Sequence, residues 1–145
     1  LSARAIQENA FPFIKEFVSI MKDDRIGRKL PIVQEARVAV GDQIGELLES
    51  EMIVTLIGER PGLSSPNSLG IYLTYNPREG RRDSDRNCIS NIRPEGLSFW
   101  EAAEKLRYLI REARKLRLTG VNLKDDMVVG LDSNPEKSLD TNKFT

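Results

Sequence analysis

The stretch Met52-Ile53-Val54-Thr55-Leu56-Ile57 decides how this chain is read. It is short, rich in β-branched residues and almost wholly apolar, with Thr55 as its single interruption. A strand with one wet face alternates polar and apolar residues, whereas a strand covered on both faces does not. The run therefore predicts a buried strand of a parallel sheet. It ends abruptly in Gly58-Glu59-Arg60-Pro61-Gly62-Leu63-Ser64-Ser65-Pro66-Asn67-Ser68, a loop dense in Gly, Pro and Ser.

Upstream, Phe13, Ile14, Phe17, Ile20 and Met21 repeat at helical spacing and predict a helix over 12–22, with Pro12 suited to its first turn. Leu30 to Val40 reads as a strand around Ile32, Val33 and Val38. Asp42 is a candidate N-cap for a short helix whose face is Ile44, Leu47 and Leu48. Downstream, Ile71–Tyr75 and Asn87–Ile92 read as strands, separated by the charged loop Pro77–Arg86. Ser98 and Glu101 form an S-x-x-E capping box. Behind it Phe99, Ala102, Ala103, Leu106, Leu109, Ile110, Ala113 and Leu116 keep one apolar stripe, with Glu101 and Lys105 as an i, i+4 pair on the wet face. Leu118–Leu123 is a candidate last strand.

Alternation of helices and strands favours an α/β fold, an open and mostly parallel sheet with flanking helices, Rossmann-like in type. In such sheets ligands sit beyond the carboxyl ends of the strands. The Gly58–Leu69 and Pro77–Arg86 loops are expected to crowd that edge. The domain is expected to occupy 1–126, followed by a polar tail over 127–145 of uncertain order.

The 145 residues suffice for one domain with a real core. Lys+Arg and Asp+Glu are equal at 22 each, which argues against a dedicated nucleic-acid or anionic-membrane binder. Histidine is absent, so Ser-His-Asp and Cys-His systems and His-ligated zinc are not available to this chain by itself. One cysteine, Cys88, allows no intrachain disulfide. A free thiol without a recognisable secretory leader fits a reducing, cytosolic setting, and no run is long enough to span a membrane. Leu1-Ser2-Ala3-Arg4 has no initiator Met, so the chain is expected to begin inside a longer polypeptide.

Glu59, just after the buried strand, reads either as a polar ligand contact or as an exposed carboxylate balancing Arg60. Cys88 reads most simply as a small buried hydrophobe, since a nucleophile needs an activating base and no His exists. Val38 reads as core packing. Arg78, Arg81, Arg82 and Arg86 are interleaved with Glu79, Asp83 and Asp85, which predicts a solvated, salt-bridged loop. Phe99 and Trp100 read as core anchors. The Gly58–Ser68 loop matches neither G-x-G-x-x-G nor a P-loop.

Three strings carry a resemblance to a known family: Val38-Ala39-Val40-Gly41-Asp42-Gln43-Ile44-Gly45-Glu46-Leu47-Leu48, Leu56-Ile57-Gly58-Glu59-Arg60-Pro61-Gly62-Leu63-Ser64-Ser65-Pro66, and Asp85-Arg86-Asn87-Cys88-Ile89-Ser90-Asn91-Ile92-Arg93-Pro94-Glu95-Gly96. In this order and spacing they resemble the small subunit (light chain) of ethanolamine ammonia-lyase, over roughly Ala5 to Asp125. The resemblance implies a carbon–nitrogen lyase that uses adenosylcobalamin to convert ethanolamine to acetaldehyde and ammonia by a radical mechanism. It places the substrate site in a separate large subunit, which this subunit joins in a hetero-oligomer that encloses cobalamin. Carried over residue by residue, the family's cobalamin contacts fall on Val38, Glu59 and Cys88, with no catalytic residue and no metal ligand here. The implied setting is ethanolamine catabolism in the bacterial cytoplasm, extending to the ethanolamine-utilization microcompartment. Family members usually carry a further N-terminal region that grips the large subunit. A free-standing module for another nucleotide-like cofactor and a purely structural assembly protein are the rival classes.

Overall fold

The computed structural model describes residues 2–22, 25–27, 29–59 and 67–127. The chain enters through α1 (Ala3–Ile20), whose N-cap Ser2 accepts a hydrogen bond at Oγ from the Ala5 amide at 3.2 Å. The i, i+4 stripe Ala5, Asn9, Phe13 and Phe17 is buried, and the Phe13 and Phe17 rings stack with centroids 5.9 Å apart. A short α2 (Val40–Leu47) follows, then β1 (Met52–Gly58), β2 (Leu69–Tyr75), β3 (Arg86–Ile92) and α3 (Phe99–Leu116).

The three strands form one antiparallel sheet in the order β1-β2-β3. Register pairs such as Val54 with Leu73, and Ile71 with Ile89, decide which side chains share a face. Met52, Val54, Leu56, Leu69, Ile71, Leu73, Ile89 and Ile92 fall on one face, where they pack with the apolar stripes of α1 and α3. Leu69, Ile71, Leu73 and Leu106 are almost wholly removed from solvent there. The capping box of α3 is formed: Ser98 Oγ accepts from the Glu101 amide at 3.1 Å, and Glu101 Oε2 from the Ser98 amide at 3.0 Å. The helix stops at Arg117, which adopts the left-handed conformation.

The fold is thus α+β, and the expected open parallel, Rossmann-like sheet is corrected. The apolar run in β1 arises because α1 lies on one of its faces and α2 on the other, so two-sided cover does not require parallel neighbours. Residues 76–85 link β2 to β3 with only a 3-10 turn at Asp83–Asp85, whereas a parallel neighbour needs a crossover of about a dozen residues or more. With antiparallel strands, the 59–68 and 76–85 connections lie at opposite ends of the sheet rather than crowding one edge.

Other local expectations also change. The first helix begins at Ala3, so Pro12 lies within it rather than in its first turn. Leu30–Val40 forms no strand: nothing pairs with it among the described residues, and Leu30 and Ile32 are 67% and 88% exposed. The N-cap of α2 is Ala39, and its buried face is Gly41, Asp42 and Gly45, while Leu47 is 83% exposed. Leu118–Leu123 turns back toward β3 instead of adding a strand, with Gly120 N donating to Asn87 Oδ1 at 2.7 Å. Lys105 pairs with Asp125 at 2.9 Å rather than with Glu101, which serves the cap. Most of the Gly58–Ser68 loop, and the tail from 128, lie outside the described residues.

Candidate functional site

The second face of the sheet is built from the alternate residues Ile53, Thr55 and Ile57 of β1, Gly70, Tyr72 and Thr74 of β2, and Arg86, Cys88 and Ser90 of β3. Helix α2 covers only one end of it. Two glycines let that helix sit close: a Cβ added at Gly41 would lie 2.5 Å from Thr55 Oγ1, and one at Gly45 would lie 2.7 Å from Pro77 Cβ. Between them Asp42 meets Arg86 in a bidentate ion pair, Nη1 to Oδ1 at 2.5 Å and Nη2 to Oδ2 at 2.7 Å. The side chains of Arg86 and Asp42 are only 2% and 4% exposed. Arg86 also donates to Thr74 Oγ1 at 3.3 Å and to the Arg81 carbonyl at 3.1 Å. Its expected place in a solvated arginine loop is therefore corrected. The neighbouring carboxylate of Asp42 raises the Arg86 pKa further, and burial opposes this more weakly.

Beyond α2, no helix or strand among the described residues lies over Ile57, Gly70, Tyr72 and Cys88. One rung crosses this open area, with Thr55 paired to Tyr72 and Tyr72 to Cys88. Cys88 is exposed, contrary to the reading of it as a buried hydrophobe. Its sulfur is nevertheless sheltered enough that lost hydration pushes the thiol pKa up. The neighbouring Tyr72 hydroxyl partly offsets this, and the Glu59 charge adds to it. The Tyr72 phenol is raised too, chiefly by burial and then by the Cys88 partner.

Glu59 follows β1 and lays its side chain across Gly70: a Cβ added there would lie 3.2 Å from both Cγ and Oε1 of Glu59. The carboxylate accepts from Ser68 Oγ at 2.6 Å and, at 3.3 Å, from the amide of Asn91, a residue with φ of 60°. It is thus a fixed acceptor with lone-pair capacity beyond these two donors, and Arg60, its alternative partner, lies outside the described residues. Val38 is half-buried in the turn that leads into α2, its carbonyl accepting from the Gly41 amide at 3.0 Å. That is one turn from the glycine seated on Thr55, so Val38 is not a strand residue of the core. Phe99 packs against the core as expected, and Trp100 is half-buried.

Glu59 and Cys88 thus border one sheet face, at its β1 end and its β3 edge, whereas Val38 is placed only in the turn that leads into α2. Tyr72, Gly70, Asp42 and Arg86 were missed as a set. The alternation of Leu69, Ile71 and Leu73 with Gly70, Tyr72 and Thr74 was the available signal, since it puts Tyr72 opposite the core. A shallow recess of about 480 Å³ opens beside this face, between β3 and the start of α3, with Cys88, Ser90, Glu101 and Lys105 among its lining residues. No helix among the described residues is long and apolar enough to cross a membrane.

Fold and face together define the class: a small α+β domain with a sheet face that, beyond α2, no helix or strand among the described residues covers, bordered by a fixed carboxylate and a thiol. Comparison with known proteins gives the family. Residues 1–124 match the model of the ethanolamine ammonia-lyase light chain (EutC), and the chain belongs to that family. It is 52% identical over 130 residues to the ethanolamine ammonia-lyase small subunit of Pseudomonas fluorescens (strain Pf0-1), covering 89% of this chain and 47% of that protein. It is 49% identical over 145 residues to that of Pseudomonas putida (strain F1), covering 99% and 53%. The Azotobacter vinelandii (strain DJ) small subunit is 53% identical over 130 residues, covering 89% and 48%. The chain spans about half the length of these relatives.

Proposed function

We propose that this chain is the cobalamin-holding part of an adenosylcobalamin-dependent ethanolamine ammonia-lyase, its open sheet face closing over the corrin against a large catalytic subunit. The observation that supports this reading is that Glu59 and Cys88, chosen from separate stretches of sequence, lie on one sheet face, with Val38 in the turn before the helix that packs on its other end. The residues fit such a ligand. A corrin has broad apolar faces and a rim of amide arms. Ile57, Gly70 and the Tyr72 ring form a low, largely apolar floor, and Glu59 is a carboxylate already held by two donors with acceptor capacity to spare.

When bound, adenosylcobalamin supplies the radical chemistry that converts ethanolamine to acetaldehyde and ammonia. The residues of this chain bind, orient and exclude water. Glu59 accepts from amide N–H groups of the rim, Val38 gives apolar contact, and Cys88 flanks the β3 edge. The chain provides no acid, base or nucleophile to the reaction. Its setting is the bacterial cytoplasm, including the ethanolamine-utilization microcompartment.

The test is co-purification with a large subunit followed by absorbance titration with adenosylcobalamin. A polar contact truncated in a buried interface costs about 1–3 kcal/mol. Glu59→Ala should therefore weaken cofactor affinity at least about fivefold without preventing subunit association. Unaltered affinity in Glu59→Ala, or a wild-type complex that takes up no cobalamin, overturns the proposal.

A further inference from the structure

Tyr72 stands in the middle strand of the open face, in the same rung as Thr55 on one side and Cys88 on the other. Its neighbours along β2 on that face differ in kind. Gly70 has no side chain and carries the Glu59 carboxylate, while Thr74 is buried against Arg86 under the α2 end. The ring therefore forms the step between the covered and the open parts of the face.

Core packing does not explain this side chain, because the core residues of β2 are Leu69, Ile71 and Leu73 on the opposite face. The Cys88 side chain is its cross-strand neighbour on that face, and a thiol is only a weak hydrogen-bonding partner for a phenol. A half-buried tyrosine with an apolar body and an underused polar tip suits a ligand with the same two needs.

We infer that Tyr72 is a ligand-contacting residue of this face, its ring lying under the corrin and its hydroxyl meeting an amide arm. The inference rests on the cobalamin-holding reading and adds to it a residue beside Glu59 and Cys88. Cys88 serves as its reporter, being the only cysteine of the chain.

The experiment uses this chain in complex with the large subunit. Wild type, Tyr72→Phe, Tyr72→Ala and Glu59→Gln are compared in two measurements: adenosylcobalamin affinity by absorbance titration, and iodoacetamide labelling of Cys88, read on its peptide by mass spectrometry, with and without cofactor. Tyr72→Phe keeps the ring and its packing, so subunit association should be preserved. Loss of one hydrogen bond should weaken affinity about three- to tenfold. Tyr72→Ala should weaken it further, and wild-type complex should show cofactor protecting Cys88 from labelling. Wild-type affinity in both Tyr72 variants, alongside weakened Glu59→Gln, overturns the role of Tyr72 and leaves the cobalamin-holding reading standing. A wild-type complex with no cobalamin affinity overturns both.

Discussion

Charge removal at Asp42 tests the architecture of the open face most directly. Asp42→Asn keeps shape and volume but leaves Arg86 as a buried cation facing a neutral amide. Both side chains are at most 4% exposed, so solvent screening gives little relief. Breaking a buried ion pair by neutralising one partner costs about 3–5 kcal/mol. Some of that is recovered here. Arg86 keeps its bonds to Thr74 and the Arg81 carbonyl, and its Nε lies 3.5 Å from Asp83, whose own side chain is 95% exposed. An exposed partner at that distance is worth at most about 1 kcal/mol. The expected loss is therefore about 3 kcal/mol, a large share of the roughly 5–15 kcal/mol that holds an ordinary domain together.

The assay is urea unfolding followed by circular dichroism, with Asp42→Asn compared against the double variant Asp42→Leu/Arg86→Met. Replacing both charges with apolar groups removes the desolvation penalty together with the attraction, so the double variant should be more stable than the single one. A loss below about 1 kcal/mol in Asp42→Asn would falsify the claim that this pair clamps α2 to the sheet. A double variant no better than the single one would show that lost packing, not the stranded charge, sets the cost.

Other expectations follow from the same packing. Leu106→Ala removes a fully buried side chain from the layer between α3 and the sheet and should cost about 2–5 kcal/mol in a denaturant titration. Gly45→Ala places a methyl against the Pro77 ring and should cost about 1–3 kcal/mol, seen as a lower Tm, since Pro77 is itself buried and cannot easily yield. The Cys88 pKa is raised by lost hydration, so the folded state holds its proton more tightly than the unfolded one. Its contribution is fully present below the ordinary thiol range, near pH 8.5, and is lost as pH rises through the folded value. Alkylation of Cys88 should accordingly speed up at a higher pH in the folded chain than in urea-unfolded chain; coincident profiles refute this.

Much of the secondary structure was legible because its signals are local. The capping box at Ser98 and Glu101 and the long stripe behind it fixed α3, and apolar runs bounded by turn residues fixed all three strands to within a residue or two. What failed was the inference from strand sequence to strand direction. A run such as Met52–Ile57 records that both its faces are covered, not what covers them. Here α1 and α2 do so from opposite sides, and the missing helix between β2 and β3 was the better guide to direction. Leu30–Val40 failed for a related reason: β-branched residues make an extended chain favourable, but a strand exists only where a partner supplies hydrogen bonds.

The open face shows the same limit at the level of the site. Position along the chain singled out Glu59, just after a strand, but said nothing of Gly70 beneath it, because that contact depends on the antiparallel return of β2. The loop around Arg86 looked like a solvated mixture of charges for an equivalent reason. The residue that neutralises Arg86 is Asp42, on a helix before β1, and no neighbouring residue advertises it. Once the register is known, both errors become one statement. The second face of β2 and β3 receives α2 at one end, and the other end is where the proposed ligand would sit. The ion pair that holds the first therefore also fixes the distance between the Val38 turn and the Cys88 edge.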